Sequence, residues 1–165
     1  MVDPAAIQRP GGISGARYGH TNLIARDWRR LATFYQELFG CEPVPPERDY
    51  RGHDLARGTA VPDAALQGIH LRLPGHGADG PTLEIYTYTS LEDAPRAVAN
   101  RVGWGHLAFG VDDVGAARQL VLASGGRSVG EVVTLQTADG RLVTWCYVTD
   151  PEGNLVELQS WSPSA

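Results

Sequence analysis

The chain has 165 residues, 42% of them hydrophobic and 20% charged, with a formal net charge of −5 and a pI of about 5.4. That is enough apolar material for one domain or two small fused modules, and the acidic balance speaks against nucleic acid, which needs a basic surface. No apolar run reaches membrane-spanning length and the opening "MVDPAAIQRPGGISGAR" lacks a signal peptide's apolar centre, so a cytoplasmic protein with no membrane partner is expected.

In chain order, residues 1–16 read as a flexible tail. A first module is expected over 17–90. "YGHTNLIA" alternates like a strand, and Asp27 can N-cap a helix running roughly from Trp28 to Phe39. Leu31, Phe34, Tyr35 and Leu38 fall on one face of that helix, and Gly40 supplies the left-handed residue that ends it. The polar, Pro- and Gly-rich stretch "CEPVPPERDYRGHDLARGTAVPDA" reads as an insertion, with His53 in loop-like sequence. Two strands follow, "GIHLRLP" and "PTLEIYTY", with His76 in the loop between them. Residues 91–102 form a polar linker.

The second module, 103–165, opens with the strand "GHLAFGV". Asp113 caps a helix of roughly Val114 to Ser124 whose Ala117, Leu120 and Val121 share a face, and Gly125-Gly126 ends it. The strands "VVTLQT", "LVTWCYV" and "NLVELQSW" complete it, with a hairpin signal at Asp139-Gly140 and a turn in "TDPEGN". Cys41 and Cys146 form no CxxC or zinc pattern and read as reduced, structural thiols.

The two modules echo one another. A shift of 86 residues lays Tyr18 on Trp104, Gly19 on Gly105, His20 on His106, Asp27 on Asp113 and Gly40 on Gly126. Downstream, "GPTLEI" matches "GNLVEL", with Glu84 and Glu157 each four residues after a glycine. His and Glu are 64 residues apart in the first half and 51 in the second, so the first carries about 13 extra residues.

Strand alternation puts chemistry on one face. His20 shares its face with Tyr18 and Asn22, and Glu84 with Tyr86 and Tyr88. Their apolar neighbours Leu23, Leu83 and Ile85 point the other way, as Leu107, Phe109, Val156 and Leu158 do around His106 and Glu157. Two imidazoles and two carboxylates make an N2O2 set suited to one divalent ion: Zn, Ni, Co, Mn or Fe. A lone strand histidine is ordinarily a hydrogen-bonded core residue and a lone strand glutamate a solvated one. Four of them at matching positions of a repeat point to a metal centre instead. His70 and Arg72 share a face of "GIHLRLP"; Arg72 could hold a substrate carboxylate and His70 act as acid or base, unless both simply face water. Tyr86, Tyr88 and Trp104 could line an aromatic substrate pocket, with Gln159 and Trp161 at its rim, or could pack structurally.

At "GHTNLIARDWRRLATFYQELFG", "GWGHLAFGVDDV" and "YVTDPEGNLVELQSW" the chain resembles the vicinal oxygen chelate superfamily, over about Arg17 to Trp161. The resemblance implies an α+β fold of two tandem βαβββ modules forming curved mixed sheets around a metal pocket, the glyoxalase-like fold. It implies His20, Glu84, His106 and Glu157 as metal ligands. Glu84 fills a position that is acidic or amide in glyoxalase I and methylmalonyl-CoA epimerase, so the chain looks closest to that branch. The implied activity is a lyase or isomerase step: a 1,2-proton shift through a metal-stabilised enediolate. Glu157 is the first choice for the carboxylate acting as base and Glu84 the second. Asn22, His70, Arg72, Tyr86, Tyr88 and Trp104 are the substrate-binding candidates. The alternatives are a non-catalytic binder of a small molecule or antibiotic, as in bleomycin resistance, and an Fe(II) extradiol-type dioxygenase. A small-molecule substrate and a homodimer are expected, its modules paired within one chain or swapped between two.

Overall fold

The computed structural model describes residues 13–93 and 95–163, so most of the expected tail lies outside the described residues. The first half runs β1 (His20–Ile24), α1 (Trp28–Phe39), β2 (Glu42–Arg51), α2 (His53–Thr59), β3 (Ala65–Arg72) and β4 (Thr82–Tyr88). The second runs β5 (Leu107–Gly110), α3 (Val114–Ala123), β6 (Arg127–Ser128), β7 (Val133–Gln136), β8 (Leu142–Thr149) and β9 (Leu155–Ser162). The sheets have orders β1-β4-β3-β2 and β5-β9-β8-β6, with β7 also pairing β8. In each, the first strand runs parallel to the last and the remaining pairings are antiparallel. This is the expected α+β architecture of two open mixed sheets.

The helix termini follow from local chemistry. Asp27 accepts from the Arg30 N–H and Asp113 from the Ala116 N–H, satisfying first-turn donors that have no intrahelical partner. Gly40, at φ 66°, closes α1. α1 buries Trp28, Leu31, Ala32, Phe34 and Tyr35, while Leu38 is half-buried. On α3 the buried residues are Val114 and Val121; Leu120, expected on the apolar face, is turned to solvent.

The stretch expected to be an insertion loop is instead a ten-residue strand and a short helix. β2 lies at the edge of its sheet, where proline costs no ladder hydrogen bond on the open side, and Pro43, Pro45 and Pro46 all sit within it. Its register against β3 shifts between Val44 and Arg48, around the cis Pro45-Pro46 bond. His53 is the first residue of α2, not a loop residue, and is exposed.

One core serves both halves. It joins Leu31, Tyr35, Leu71, Leu83 and Ile85 to Phe109, Val121, Val148, Val156 and Leu158. Across the join, Phe39 stacks on Phe109 with ring centroids 4.1 Å apart. The fully buried Tyr35 donates its hydroxyl to Asp150 Oδ2 at 3.0 Å. Asp150 Oδ1 accepts from the backbone N–H groups of Glu152, Gly153 and Asn154, so this buried carboxylate has no idle oxygen. Burial nonetheless lifts its carboxyl above the ordinary value, against those donors. Glu152 on the same turn accepts from the N–H groups of Arg26 and Asp27 at the start of α1. The β8–β9 turn therefore grips α1 at its start and at Tyr35 further along.

Candidate metal centre

Burial alternates along β1: Thr21 and Leu23 face the core, while His20, Asn22 and Ile24 are exposed. The cross-strand registers carry this open face over the first sheet. One row holds Asn22, Glu84, His70 and Val44 on successive strands. The next holds Ile24, Tyr86, Gly68 and Arg48, and a third holds Tyr88, Leu66 and Tyr50. Gly68 is required: a methyl there would overlap the Ile85 carbonyl oxygen and the Tyr86 ring.

Within this face Glu84 is the hub. It is 8% exposed. Its Oε2 lies 3.4 Å from His20 Nε2 and accepts from Asn22 Nδ2 at 3.4 Å. Its Oε1 lies 2.9 Å from His70 Nε2, and that nitrogen is also 2.7 Å from the Tyr86 hydroxyl. Burial holds the His70 imidazole below its ordinary value, against the opposing pull of Glu84, with Arg48 and His20 lowering it further. Burial, helped by Glu84, pushes the Tyr86 phenol up to about 12.

The second sheet repeats the arrangement. Glu157 Oε2 lies 3.2 Å from His106 Nε2. Directly opposite Glu157 stands Tyr147, as His70 stands opposite Glu84. Burial raises the Tyr147 phenol, and the nearby Glu157 carboxylate raises it further; its ring is 5.0 Å from that of His106. Tyr147 was not singled out from sequence. Its signal is a cross-strand register, which depends on how the β8–β9 turn closes.

Of the other candidates, Asn22, His70 and Tyr86 gather at Glu84. Arg72 does not: its Nε donates to the Ala78 carbonyl and its guanidinium pairs with Glu42 at 3.6 Å. Tyr88 lies two rows away opposite Leu66. Trp104 is 69% exposed ahead of β5, as its repeat partner Tyr18 is ahead of β1.

The donors suit a divalent cation. The two His–Glu separations are about what two donors, each roughly 2.1 Å from one ion, would show. Neither carboxylate is paired with Lys or Arg among the described residues, although both are largely buried. The expected four ligands are not gathered into one set, however. Each His–Glu contact stays within its own half, and among the described residues no group of three or more His, Cys, Asp or Glu is arranged to hold a metal ion. The reason lies in the join: the halves meet through α1, Phe109 and the β8–β9 turn.

This fold and these paired half-sites define a class, and sequence comparison identifies it. Residues 17–158 match the model of the Glyoxalase/Bleomycin resistance protein/Dioxygenase superfamily, and the chain belongs to that family. Among solved structures it is similar to a glyoxalase family protein from Bacillus cereus, at 18% identity over 91% of this chain and 99% of that one, with a TM-score of 0.74. It is also similar to a glyoxylase/bleomycin resistance protein/dioxygenase domain from Frankia sp. EAN1pec, at 17% identity, 92% and 94% coverage and a TM-score of 0.55. A third is a mutant of the fosfomycin resistance protein FosX from Listeria monocytogenes, complexed with Mn(II) and 1S,2S-dihydroxypropylphosphonic acid, at 16% identity, 90% and 93% coverage and a TM-score of 0.50. These likenesses establish the fold. No curated protein sequence matches.

Proposed function

We propose that this protein is a divalent-metal-dependent enzyme of glyoxalase type that moves a proton between adjacent carbons of a small oxygen-bearing substrate. The observation that carries this is the duplicated His–Glu pair, His20 with Glu84 and His106 with Glu157, each at donor spacing and each on an open sheet face. A bound divalent ion would supply a Lewis acid that polarises the substrate's oxygens and stabilises the enediolate. Glu157, 17% exposed at its side chain and in register with Tyr147, takes and returns the proton in this reading; Glu84, fixed by Asn22 and His70, is the second candidate. The family membership supports metal chemistry in general, and the Mn(II) complex of the Listeria protein is one instance within this fold.

The same reading includes a homodimer with swapped halves. In it the His20–Glu84 half-site of one chain meets the His106–Glu157 half-site of its partner. The supporting observation is that a single chain leaves the two half-sites unjoined and leaves Tyr18, Val102, Trp104 and Trp161 exposed. No helix among the described residues is long and apolar enough to cross a membrane. The two buried free thiols, Cys41 and Cys146, suit a reducing, cytoplasmic compartment.

Elemental analysis of protein purified without chelator tests the reading. About one divalent ion per chain is expected, and His106→Ala should lose it. Protein that carries no metal and takes up none of Ni, Co, Mn or Zn would remove the basis of the proposal.

A further inference from the structure

β2 is an exposed edge strand with one half-buried charged residue, Arg48. Its two acidic neighbours are already engaged: Glu47 pairs with Arg29 at 2.8 Å and Asp49 with Arg51 at 2.6 Å. Strand alternation sends those carboxylates to the opposite face from Arg48. Arg48 falls opposite Gly68, and Gly68 opposite Tyr86, so it belongs to the open face that carries Glu84. That row lies about 7 Å along the strands from the row of His70 and Glu84. The guanidinium spans part of this gap, because Nη1 donates to the Pro46 carbonyl, back along β2 toward Val44 and His70.

A guanidinium has five N–H donors in a planar fork. Among the described residues only the Pro46 carbonyl takes one, and no carboxylate pairs with Arg48. A half-buried cation on a site's open face with most of its fork unused is a ready partner for an anion. One fork matches one planar carboxylate with two parallel hydrogen bonds, and its single positive charge balances a carboxylate's single negative one. Beyond Arg48 the face becomes apolar, with Tyr50, Leu66 and Tyr88 in the next row.

We propose that Arg48 is the anion anchor of this site, and that the substrate is a small carboxylate with an apolar or aromatic body. Its chelating oxygens lie toward His20 and Glu84, its carboxylate meets Arg48, and its body rests against Tyr50 and Tyr88, which flank the buried Leu66. This deepens the proposed function and rests on it only for where the chelating oxygens sit. It also moves the carboxylate-holding role expected of Arg72 to a residue that is not already tied to Glu42.

The test titrates ¹⁵N-labelled, metal-free protein with mandelate and with its neutral analogue mandelamide, after chelator has been dialysed away. Mandelate should shift the Arg48 side-chain and Gly68 amide signals and bind better than mandelamide. Arg48→Gln should weaken mandelate binding by about tenfold or more. Arg51→Gln should leave it unchanged, because Arg51 is held by Asp49. If Arg48→Gln loses its dispersed spectrum, Arg48→Lys carries the test, and its mandelate binding should be weaker than wild type. Mandelamide binding as well as mandelate, mandelate binding unaffected at Arg48, or no mandelate binding by wild-type protein would each overturn the inference. A protein that binds mandelate through Arg48 but takes up no metal would sustain it while sinking the proposed function.

Discussion

At the scale of single residues, Glu84 and Glu157 define the site through the company each keeps. A carboxylate this buried needs donors or a cation, and each has a histidine on one side and a cross-strand partner on the other. Groups that hold a metal ligand from behind typically carry about 10–100-fold of metal affinity. His70→Ala and Tyr147→Phe should therefore each weaken metal binding by about that factor while the circular dichroism spectrum is kept. Isothermal titration with Co(II) or Mn(II) measures it, and an unchanged affinity would show that neither partner supports its glutamate. The four candidate ligands were legible in the sequence without any register: the 86-residue echo pairs His20 with His106, and the GPTLEI and GNLVEL segments pair Glu84 with Glu157. Tyr147 and Arg48 were not, because each joins the site through a pairing between strands. Arg48 stands where it does only because β2 shifts register by way of Pro45 and Pro46.

At the scale of elements, α1 and α3 with their caps were the most readable part, while the short α2 was not. Asp27, Asp113 and Gly40 are local signals, and local chemistry decides them. β2 was not readable. Its prolines and charges argue against a strand in general and are tolerated here only because the strand is an edge. Its neighbour β3 carries the tightest backbone approach on the open face. Gly68→Ala should cost about 2 kcal/mol and displace Tyr86 from His70, seen as a lower urea midpoint. Tyr35→Phe, which removes the hydroxyl donated to buried Asp150, should cost about 1–2 kcal/mol in the same measurement. The β7–β8 turn gives a pH signature. Thr137, then Arg141, hold the Asp139 carboxyl down at about 2. A depressed folded value contributes stability above the unfolded value near 4, lost as pH falls toward 2. Wild type should thus melt above Asp139→Asn at pH 7, and the difference should vanish in thermal scans near pH 2.

At the scale of the whole molecule, the repeat made the architecture legible, but not how its halves meet. The sequence contains two similar half-sites. Whether they close on each other depends on the packing of Tyr35, Phe39, Phe109 and Asp150, side chains that carry no mark of their role in the linear text. In this fold the join uses the helix α1 and the β8–β9 turn, and each half-site is left with an open face. Sedimentation should accordingly find dimers at micromolar concentration, and a strictly monomeric protein would contradict the swapped assembly.

The most direct measurement combines metal binding with that assembly. His20→Ala and His106→Ala chains, each expected to bind no metal alone, are mixed after partial unfolding and refolded together, and the divalent ion content of the mixture is measured. A swapped dimer of one chain of each kind contains one intact site, built from His20 and Glu84 of one protomer and His106 and Glu157 of its partner, so the mixture should regain metal that neither parent holds. A mixture as empty as its parents, alongside wild-type protein that does bind metal, would contradict the shared site; wild-type protein that binds none would contradict the metal centre itself.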